Sequence, residues 1–228
     1  MSDNTLTFDN LFKCSFVVSV NDKRYRWYKK VFKFFGLPPS EKVGEKVKGQ
    51  KPEYNCGMNH IECVRLAKER NYPYCLIFED DAYPRKDIVE KLNFYIDEFN
   101  RQDNITRYTD VLYLGFFTFE KCGTLVPGLQ NFNRTTKHWS SHAYIVFNKF
   151  YDKFLSLKKF VKYVSSIDSI YKYPKIICYR TSESLFEQYI KYTNSTIYFK
   201  NELTNGCFFS ECQSSAFNFN PDNYIKIE

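Results

Sequence analysis

Residues 75–85 read CLIFEDDAYPR, and this stretch decides how the rest of the chain is interpreted. Its first four residues, Cys75 to Phe78, are apolar and predict a short strand that is buried on both faces. Three carboxylates, Glu79 to Asp81, follow without a break, and Pro84 is predicted to open a helix. Three adjacent negative charges at the end of a buried strand repel one another and lose hydration, so they need compensation.

A bound divalent cation is one form of compensation, because carboxylate oxygens are the ligands that hard cations prefer. In the other interpretation, the three carboxylates solvate a turn and favour the N-terminus of the helix that follows. The residue types alone leave both interpretations open.

The composition is that of a globular protein. The 228 residues are most simply one domain, 1–228, with a sizeable hydrophobic core. The 33 Lys and Arg residues exceed the 26 Asp and Glu residues, and the net charge of +7 should attract nucleotide phosphates, anionic lipid headgroups or nucleic acid. Aromatic residues make up 19% of the chain, which indicates a Phe-rich core or surfaces that stack on bases or sugars.

The chain is expected to be a soluble cytoplasmic protein. The segment Met1 to Lys13 lacks the apolar core of a signal peptide, and no stretch approaches the ~20 apolar residues that span a bilayer. The eight cysteines form no C-x-x-C pair, and several lie in apolar runs. Most are therefore predicted to be small buried side chains in a reducing compartment.

Apolar runs alternate with helical periodicity, which predicts an α/β layered domain with a mostly parallel central sheet flanked by helices. Predicted strands cover residues 14–20, 75–78, 111–117, 143–147 and 176–179, and predicted helices cover 24–35, 58–70, 86–100, 149–157 and 184–192. The lysine-rich segment Ser40 to Tyr54 is predicted to be an exposed loop or a mobile lid over a phosphate. Ligands of such sheets bind outside the carboxyl ends of the strands, where residues 79–81 lie.

Several motifs are absent from the sequence. Neither G-x-G-x-x-G nor G-x-x-x-x-G-K-[ST] is present to cradle a phosphate, and no G-x-S-x-G supports a hydrolase. The histidines, His60, His138 and His142, show no zinc-type spacing with cysteine or with one another. The chemistry that remains is a carboxylate-held Mg²⁺ or Mn²⁺ that neutralises a diphosphate.

An ordered set of motifs resembles glycosyltransferase family 25, the lipooligosaccharide and collagen galactosyltransferase group. The likeness spans about residues 14–170, with the part after residue 170 unmatched. The motifs are VSV at 18–20 with Arg26 for the family's I-N-L…R, CGMNHI at 56–61 for G-C-x-x-S-H-I, LIFEDD at 76–81 for L-I-L-E-D-D, DVLYLG at 110–115 for D-x-L-Y-L-G, and HAYIV at 142–146 for H-A-Y-L-I.

The resemblance implies a GT-A-like fold, in which an acidic motif of a nucleotide-sugar-binding domain holds a metal ion. In this sequence it implies that Asp81 coordinates Mn²⁺ or Mg²⁺ directly. Glu79 would bind the metal, a metal-bound water or the donor ribose, and Asp80 would be a ligand or an outer-shell partner. Ser19 and Arg26, from the first motif, would lie on the donor side. Arg26 would pair with phosphate or uracil, or be an ordinary exposed charge.

For each of the remaining candidate residues, both a ligand-binding role and a structural role are open. His60, near the start of its predicted helix, would contact a phosphate or the acceptor, or be a capped and partly buried histidine. His142 would support the acceptor side or pack beneath it. Tyr83 and Trp139 would stack on sugar or base, or pack in the core.

An inverting transferase needs a base that takes the proton of the attacking acceptor hydroxyl. The resemblance points to Asp168, which could also simply cap a helix. Glu183, Glu187 and Glu211 are the rival bases.

The resemblance therefore predicts a metal-dependent glycosyltransferase that moves galactose or glucose from a UDP-sugar to a surface glycan or glycoconjugate, with inversion, as in lipopolysaccharide biosynthesis. The expected partners are a UDP-hexose donor, a glycan or glycolipid acceptor and the anionic inner face of a membrane, with no nucleic acid. The alternative is a non-catalytic basic, aromatic-rich module for nucleic acid or glycan, with structural carboxylates and binding that falls steeply with salt.

Overall fold

A computed structural model describes residues 5–102, 105–117, 124–135, 139–161 and 176–188. The strands are β1 Ser15–Val18, β2 Glu41–Val43, β3 Tyr74–Glu79, β4 Ala82–Pro84, β5 Val111–Phe117, β6 Thr124–Leu125, β7 Phe132–Arg134, β8 Trp139–Phe147, β9 Cys178–Thr181 and β10 Phe186–Gln188. The helices are α1 Phe8–Lys13, α2 Asp22–Phe34, α3 Pro52–Glu69, α4 Ile88–Arg101, α5 Ile105–Tyr108, α6 Tyr151–Ser156 and α7 Lys158–Val161, with a 3-10 turn at Asn148–Phe150.

Eight strands form one sheet in the order β2-β1-β3-β8-β5-β9-β7-β6, and β4 pairs with β10 in a separate ribbon. Parallel pairing joins β2, β1 and β3 at one edge, and β5 with β9 further along. Strand β8 runs antiparallel to both of its neighbours, so the sheet is mixed. The predicted α/β layered class is confirmed. The direction of β8 is not encoded in its apolar run, because side-chain alternation is the same whichever way a strand points.

Helices cover both faces of the sheet. Apolar residues of α1, α2 and α4 pack in one hydrophobic cluster, and those of α3 and α6 pack in another. Strand β3 supplies Leu76 and Phe78 to the first cluster and Cys75 and Ile77 to the second. This alternation confirms the prediction that residues 75–78 are buried on both faces.

The largest fully buried side chains are all aromatic in the part of the chain that the structure describes. They are Tyr28, Tyr74, Tyr113, Tyr144, Phe16, Phe32, Phe78, Phe99, Phe132, Phe147, Phe154 and Phe186. Much of the high aromatic content is therefore used for core packing, which is one of the two uses that the composition allowed.

Helix α3 begins earlier than the sequence pattern predicts. It starts at Pro52, whose fixed φ suits the first helical position, and not at Met58. Strand β2 pairs with β1 at the other end of the predicted loop Ser40 to Tyr54. Only residues 44–51 remain between β2 and α3. The prediction of a loop or lid over the whole of Ser40 to Tyr54 is therefore wrong.

The ribbon β4–β10 overturns two further local predictions. Pro84 ends a strand and does not open a helix, since α4 begins only at Ile88. The predicted helix at 184–192 contains a strand over its described part, paired Phe186↔Pro84 and Gln188↔Ala82. Both errors have one cause: the strand partner lies about a hundred residues away, and local periodicity cannot report it.

None of the helices that the structure describes is both long enough and apolar enough to cross a membrane. The described cysteines, Cys14, Cys56, Cys63, Cys75 and Cys178, are free thiols, and all but Cys56 are buried. The predicted small hydrophobic role is confirmed for those four.

Candidate active site

The site lies at the carboxyl ends of β1 and β3. These strands are parallel neighbours with Val18 opposite Glu79, so the residues that follow each strand meet. The Ser19 hydroxyl donates a hydrogen bond to Asp80 Oδ2 at 2.6 Å. Gly44 approaches so closely that a Cβ there would lie 1.9 Å from the Ser19 carbonyl oxygen. Packed backbone therefore fixes Ser19, and Ser19 in turn orients Asp80.

A cation from the first turn of α2 enters the same site. The Asn21 side chain caps this helix by accepting hydrogen bonds from the backbone N–H groups of Lys23 at 2.9 Å and Arg24 at 3.3 Å. Arg24 Nη2 lies 3.0 Å from Asp81 Oδ2 and also forms an ion pair with Asp80. The guanidinium thus bridges the two aspartates and supplies part of the compensation that the carboxylates need.

One arginine does not neutralise the acidic turn, which we define as Glu79 to Asp81. Burial and the neighbouring Glu79 charge raise the pKa of Asp81 to about 7, although Arg24 opposes this. Burial also raises the pKa of Asp80, against the opposing effects of Arg24 and the Ser19 hydrogen bond. Asp81 Oδ1 is buried and has no hydrogen-bond partner among the described residues. The turn therefore keeps an excess of negative charge and an oxygen that can still accept a ligand.

Of the three carboxylates in the acidic turn, Asp81 and Glu79 are suited to bind a hard divalent cation. Asp81 offers its Oδ1 atom, and the Glu79 side chain is 22% exposed and reachable from solvent. Asp80 is held by Arg24 and Ser19, which suits an outer-shell role better than direct coordination. The coordination itself stays a prediction.

A second group of polar side chains borders Glu79. His60 is fully buried in the middle of α3, so the expectation of a histidine near a helix start is wrong. Its Nδ1 atom lies 2.8 Å from Tyr144 Oη, and its Nε2 atom lies 3.6 Å from Glu79 Oε1. Cys56 Sγ, a His60 ring nitrogen and a Glu79 carboxylate oxygen all lie within 4.8 Å of one another. A contact of His60 with phosphate or acceptor stays a prediction.

Two of the other candidates occupy ordinary structural positions. Arg26 is exposed on α2, where its proposed donor contact stays a prediction. The Tyr83 ring is buried, stacks with Trp27 at a centroid distance of 6.2 Å and meets the edge of Phe35 at 5.5 Å. Core packing, the alternative given for Tyr83, is therefore what the structure shows.

His142 is buried beneath β10. Its Nε2 atom donates a 2.5 Å hydrogen bond to the Phe186 carbonyl. Burial lowers the pKa of His142 to about 4, although this hydrogen bond raises it, so the ring is neutral at pH 7. A Cβ on Gly115 would lie 2.6 Å from the ring, so the glycine of the DVLYLG motif makes room for the imidazole. His142 thus packs under the surface, and its acceptor-side role stays a prediction.

The candidate bases are only partly described. Asp168, Glu211 and the Trp139 side chain lie outside the described residues. Glu183 is ion-paired with Arg85 and, at 2.6 Å, with Lys91. Burial raises the pKa of Glu183, but the hydrogen bonds and charges of Lys91 and Arg85 outweigh it and leave the pKa lowered. Glu187 is half-buried on β10, opposite Tyr83.

Two residues of the site are absent from the sequence-based set. Arg24 can be recognised in hindsight from Asn21, an N-cap residue that places position 24 in the first turn beside the end of β1. Cys56 becomes visible once Pro52 is taken as the helix start, because Cys56 and His60 then lie four residues apart on one face. The expectation that no histidine shares a ligand spacing with a cysteine does not hold here.

A comparison with known protein families agrees with the class of enzyme that the motifs predict. The family model of glycosyltransferase family 25 (LPS biosynthesis protein) matches residues 40–171, more than half of the chain. The chain therefore belongs to glycosyltransferase family 25 and is a glycosyltransferase.

Solved structures with a similar course of the chain include a glycosyltransferase involved in the glycosylation of the major capsid of PBCV-1. That similarity has 9% identity and a TM-score of 0.46, and covers 77% of this chain and 93% of the other. A197 from STIV is similar at 9% identity and a TM-score of 0.41, with coverage of 75% and 81%. No curated protein matches the sequence.

Proposed function

We propose that this family 25 chain transfers a hexose, galactose or glucose, from a UDP-sugar to a surface glycan or glycolipid, with inversion and with the aid of Mn²⁺ or Mg²⁺. One observation carries the proposal: an acidic turn at the carboxyl edge of parallel strands places three carboxylates beside one bridging arginine, and the buried Asp81 Oδ1 has no hydrogen-bond partner among the described residues. A cation and a diphosphate together would complete such a site.

Each residue of the site would have a separate role. Asp81 and Glu79 would hold the cation, and Asp80, itself held by Arg24 and Ser19, would be an outer-shell partner. Arg24 brings a positive charge to the edge where the donor phosphates would lie. When bound, the cation supplies charge stabilisation for the departing nucleoside diphosphate.

The base that removes the acceptor proton is proposed to be Asp168, with Glu187 and Glu211 as rivals. Glu183 is the weaker rival, because its carboxylate is already paired with two cations. The net charge of +7 supports a place at the anionic cytoplasmic face of a membrane, where a glycolipid acceptor would be reached.

Calorimetry tests the metal-dependent part directly. UDP should bind in the presence of Mn²⁺ and bind at least tenfold more weakly after chelation. Asp81→Asn should remove this metal dependence, whereas Asp97→Asn, an exposed aspartate on α4, should leave it unchanged. Equal UDP affinity with Mn²⁺ and with EDTA would overturn metal-assisted donor binding.

The sugar is tested separately by thermal shift with a panel of nucleotide sugars and Mn²⁺. A donor at ~100 times its Kd should stabilise the fold by about 2.7 kcal/mol. Stabilisation by UDP-galactose or UDP-glucose, but not by the guanosine or cytidine diphosphate sugars, is the expected result. A preference for another nucleotide would replace the proposed donor and leave the transferase class intact.

A further inference from the structure

A thiol, an imidazole and a carboxylate meet beside the acidic turn. Cys56 and His60 stand on successive turns of α3, and Glu79 ends β3. We propose that Cys56, His60 and Glu79 form a three-ligand site for Zn²⁺ or a similar borderline transition metal. This site differs in chemistry from the hard-cation site proposed at Asp81.

The distances suit a tetrahedral ion. His60 Nε2 and Glu79 Oε1 are 3.6 Å apart, and two such ligands on a tetrahedral zinc ion lie about 3.4 Å apart, given metal–ligand lengths of about 2.0–2.2 Å. The three ligand atoms fall within 4.8 Å of one another, so shifts of side-chain torsions suffice to close the site. A sulfur and an imidazole nitrogen select zinc-like metals over Mg²⁺, which prefers oxygen alone.

The imidazole is already oriented as a metal ligand needs to be. Tyr144 Oη lies 2.8 Å from His60 Nδ1, and Tyr144 is fixed opposite Ile77 in the pairing of β8 with β3. When Nε2 binds the metal, Nδ1 carries the proton, and this N–H donates a hydrogen bond to Tyr144 Oη. Outer partners of this kind hold the ring in the ligating tautomer and strengthen metal binding.

A metal ion can reach this site from solvent, and three protein ligands leave it one open coordination position. His60 is fully buried, whereas Cys56 and Glu79 are partly exposed, so a metal can enter from the solvent side. Three protein ligands leave the fourth position of a zinc ion open to water or to an oxygen of a ligand.

Glu79 is shared by the two metal sites, but the inference does not need the proposed transfer reaction. The site is tested by the absorption spectrum of the bound metal, and this spectrum depends neither on UDP binding nor on turnover. If both sites exist, a zinc-type ion draws Glu79 away from Asp81, and Zn²⁺ should then weaken Mn²⁺-dependent UDP binding.

Cobalt(II) is the probe, added to reduced protein that has been freed of metal with a chelator. A Co²⁺–thiolate bond gives an intense near-ultraviolet charge-transfer band that oxygen and nitrogen ligands do not give. We expect this band on titration, together with the visible bands of tetrahedral cobalt, and we expect Zn²⁺ to bleach both. Absence of the thiolate band in the wild-type protein would overturn the proposal.

Matched variants locate the site. Cys56→Ala should abolish the thiolate band, whereas Cys63→Ala, the same change two turns further along α3, should keep it. Tyr144→Phe should keep the band but weaken Co²⁺ binding about tenfold, because the ring loses its outer partner. Circular dichroism confirms that each variant is folded. A band that survives in Cys56→Ala would assign the metal to another cysteine and contradict the site.

Discussion

The buried carboxylate of Glu98 and the two buried carboxylates of the acidic turn differ in how their charge is satisfied. Glu98, on α4, accepts hydrogen bonds through Oε1 from the backbone N–H groups of Gln130 at 2.6 Å and Asn131 at 2.9 Å. Its Oε2 atom accepts from Asn131 Nδ2 at 2.8 Å. In the acidic turn, Asp80 and Asp81 share one Arg24, and Asp81 Oδ1 has no hydrogen-bond partner in the described part of the chain.

The difference separates a structural acid from a candidate functional one. In the described part of the chain, the hydrogen bonds that the Glu98 carboxylate accepts all come from one loop, so this carboxylate closes the loop onto α4. The acidic turn collects three carboxylates, and Arg24 bridges two of them. Burial and the neighbouring Glu79 charge raise the pKa of Asp81 to about 7. Burial of an acid is therefore a weak indicator of function, and residual charge at the edge of a sheet is a stronger one.

Arg24→Gln should have the largest effect. It removes the only cation that bridges Asp80 and Asp81 among the described residues, and breaking a buried pair in this way costs about 3–5 kcal/mol. Urea unfolding measures the loss. Arg26→Gln, exposed on the same helix, should change the free energy of unfolding by less than about 0.5 kcal/mol. Equal effects of the two changes would mean that Arg24 does not compensate the turn.

Asp81→Asn should separate activity from stability. The change keeps the shape of the side chain but removes the charge proposed to hold the cation, so turnover should fall roughly 10²-fold or more, about 3 kcal/mol in activation free energy. Melting in the absence of metal should be unchanged or slightly raised, because repulsion from Glu79 and Asp80 is relieved. Full activity of this variant would refute metal binding at Asp81.

Glu98→Gln should give the opposite result. Loss of the charged acceptor weakens the bonds to Gln130 and Asn131 and should cost about 2 kcal/mol of unfolding free energy. Turnover per folded molecule should not change. Glu90→Gln, an exposed change on the same helix, is the control for stability. A loss of turnover in Glu98→Gln without a loss of stability would contradict the structural role of Glu98.

His142 extends the comparison to a buried base, with the smallest expected effect. Its folded-state pKa of about 4 lies below its ordinary value of 6.5, so the unfolded chain binds a proton that the folded chain does not. Stability should therefore fall as the pH drops from 6.5 towards 4, by about 1 kcal/mol between pH 6.5 and 5.5. His142→Gln should lack this part of the pH dependence. Parallel pH profiles for the two proteins would show that His142 is protonated in the fold.

Local sequence was sufficient for the elements whose signal is local. The run Cys75 to Phe78 predicted a strand buried on both faces, and residues 111–117 were predicted with the bounds that β5 has. Short apolar runs favour strands that are buried on both faces, because they are too short for a typical buried helix and present apolar side chains to both sides. The same stretch supplied the acidic turn, and ordered motifs from residue 18 to residue 146 indicated the transferase family.

Tertiary structure alone decided the contacts between distant segments. The strands β4 and β10 exist because Ala82–Pro84 and Phe186–Gln188 pair with each other, and neither segment has a strong strand pattern of its own. The compensation of Asp80 and Asp81 by Arg24, and not by Arg26, depends on which face of α2 turns towards the end of β3. Cys56, His60 and Glu79 likewise meet only because α3 begins at Pro52 and packs against β3. Hydrogen bonds and ion pairs act over a few ångströms in space, so sequence fixes which groups are available, and the packing of helices on the sheet fixes which of them meet.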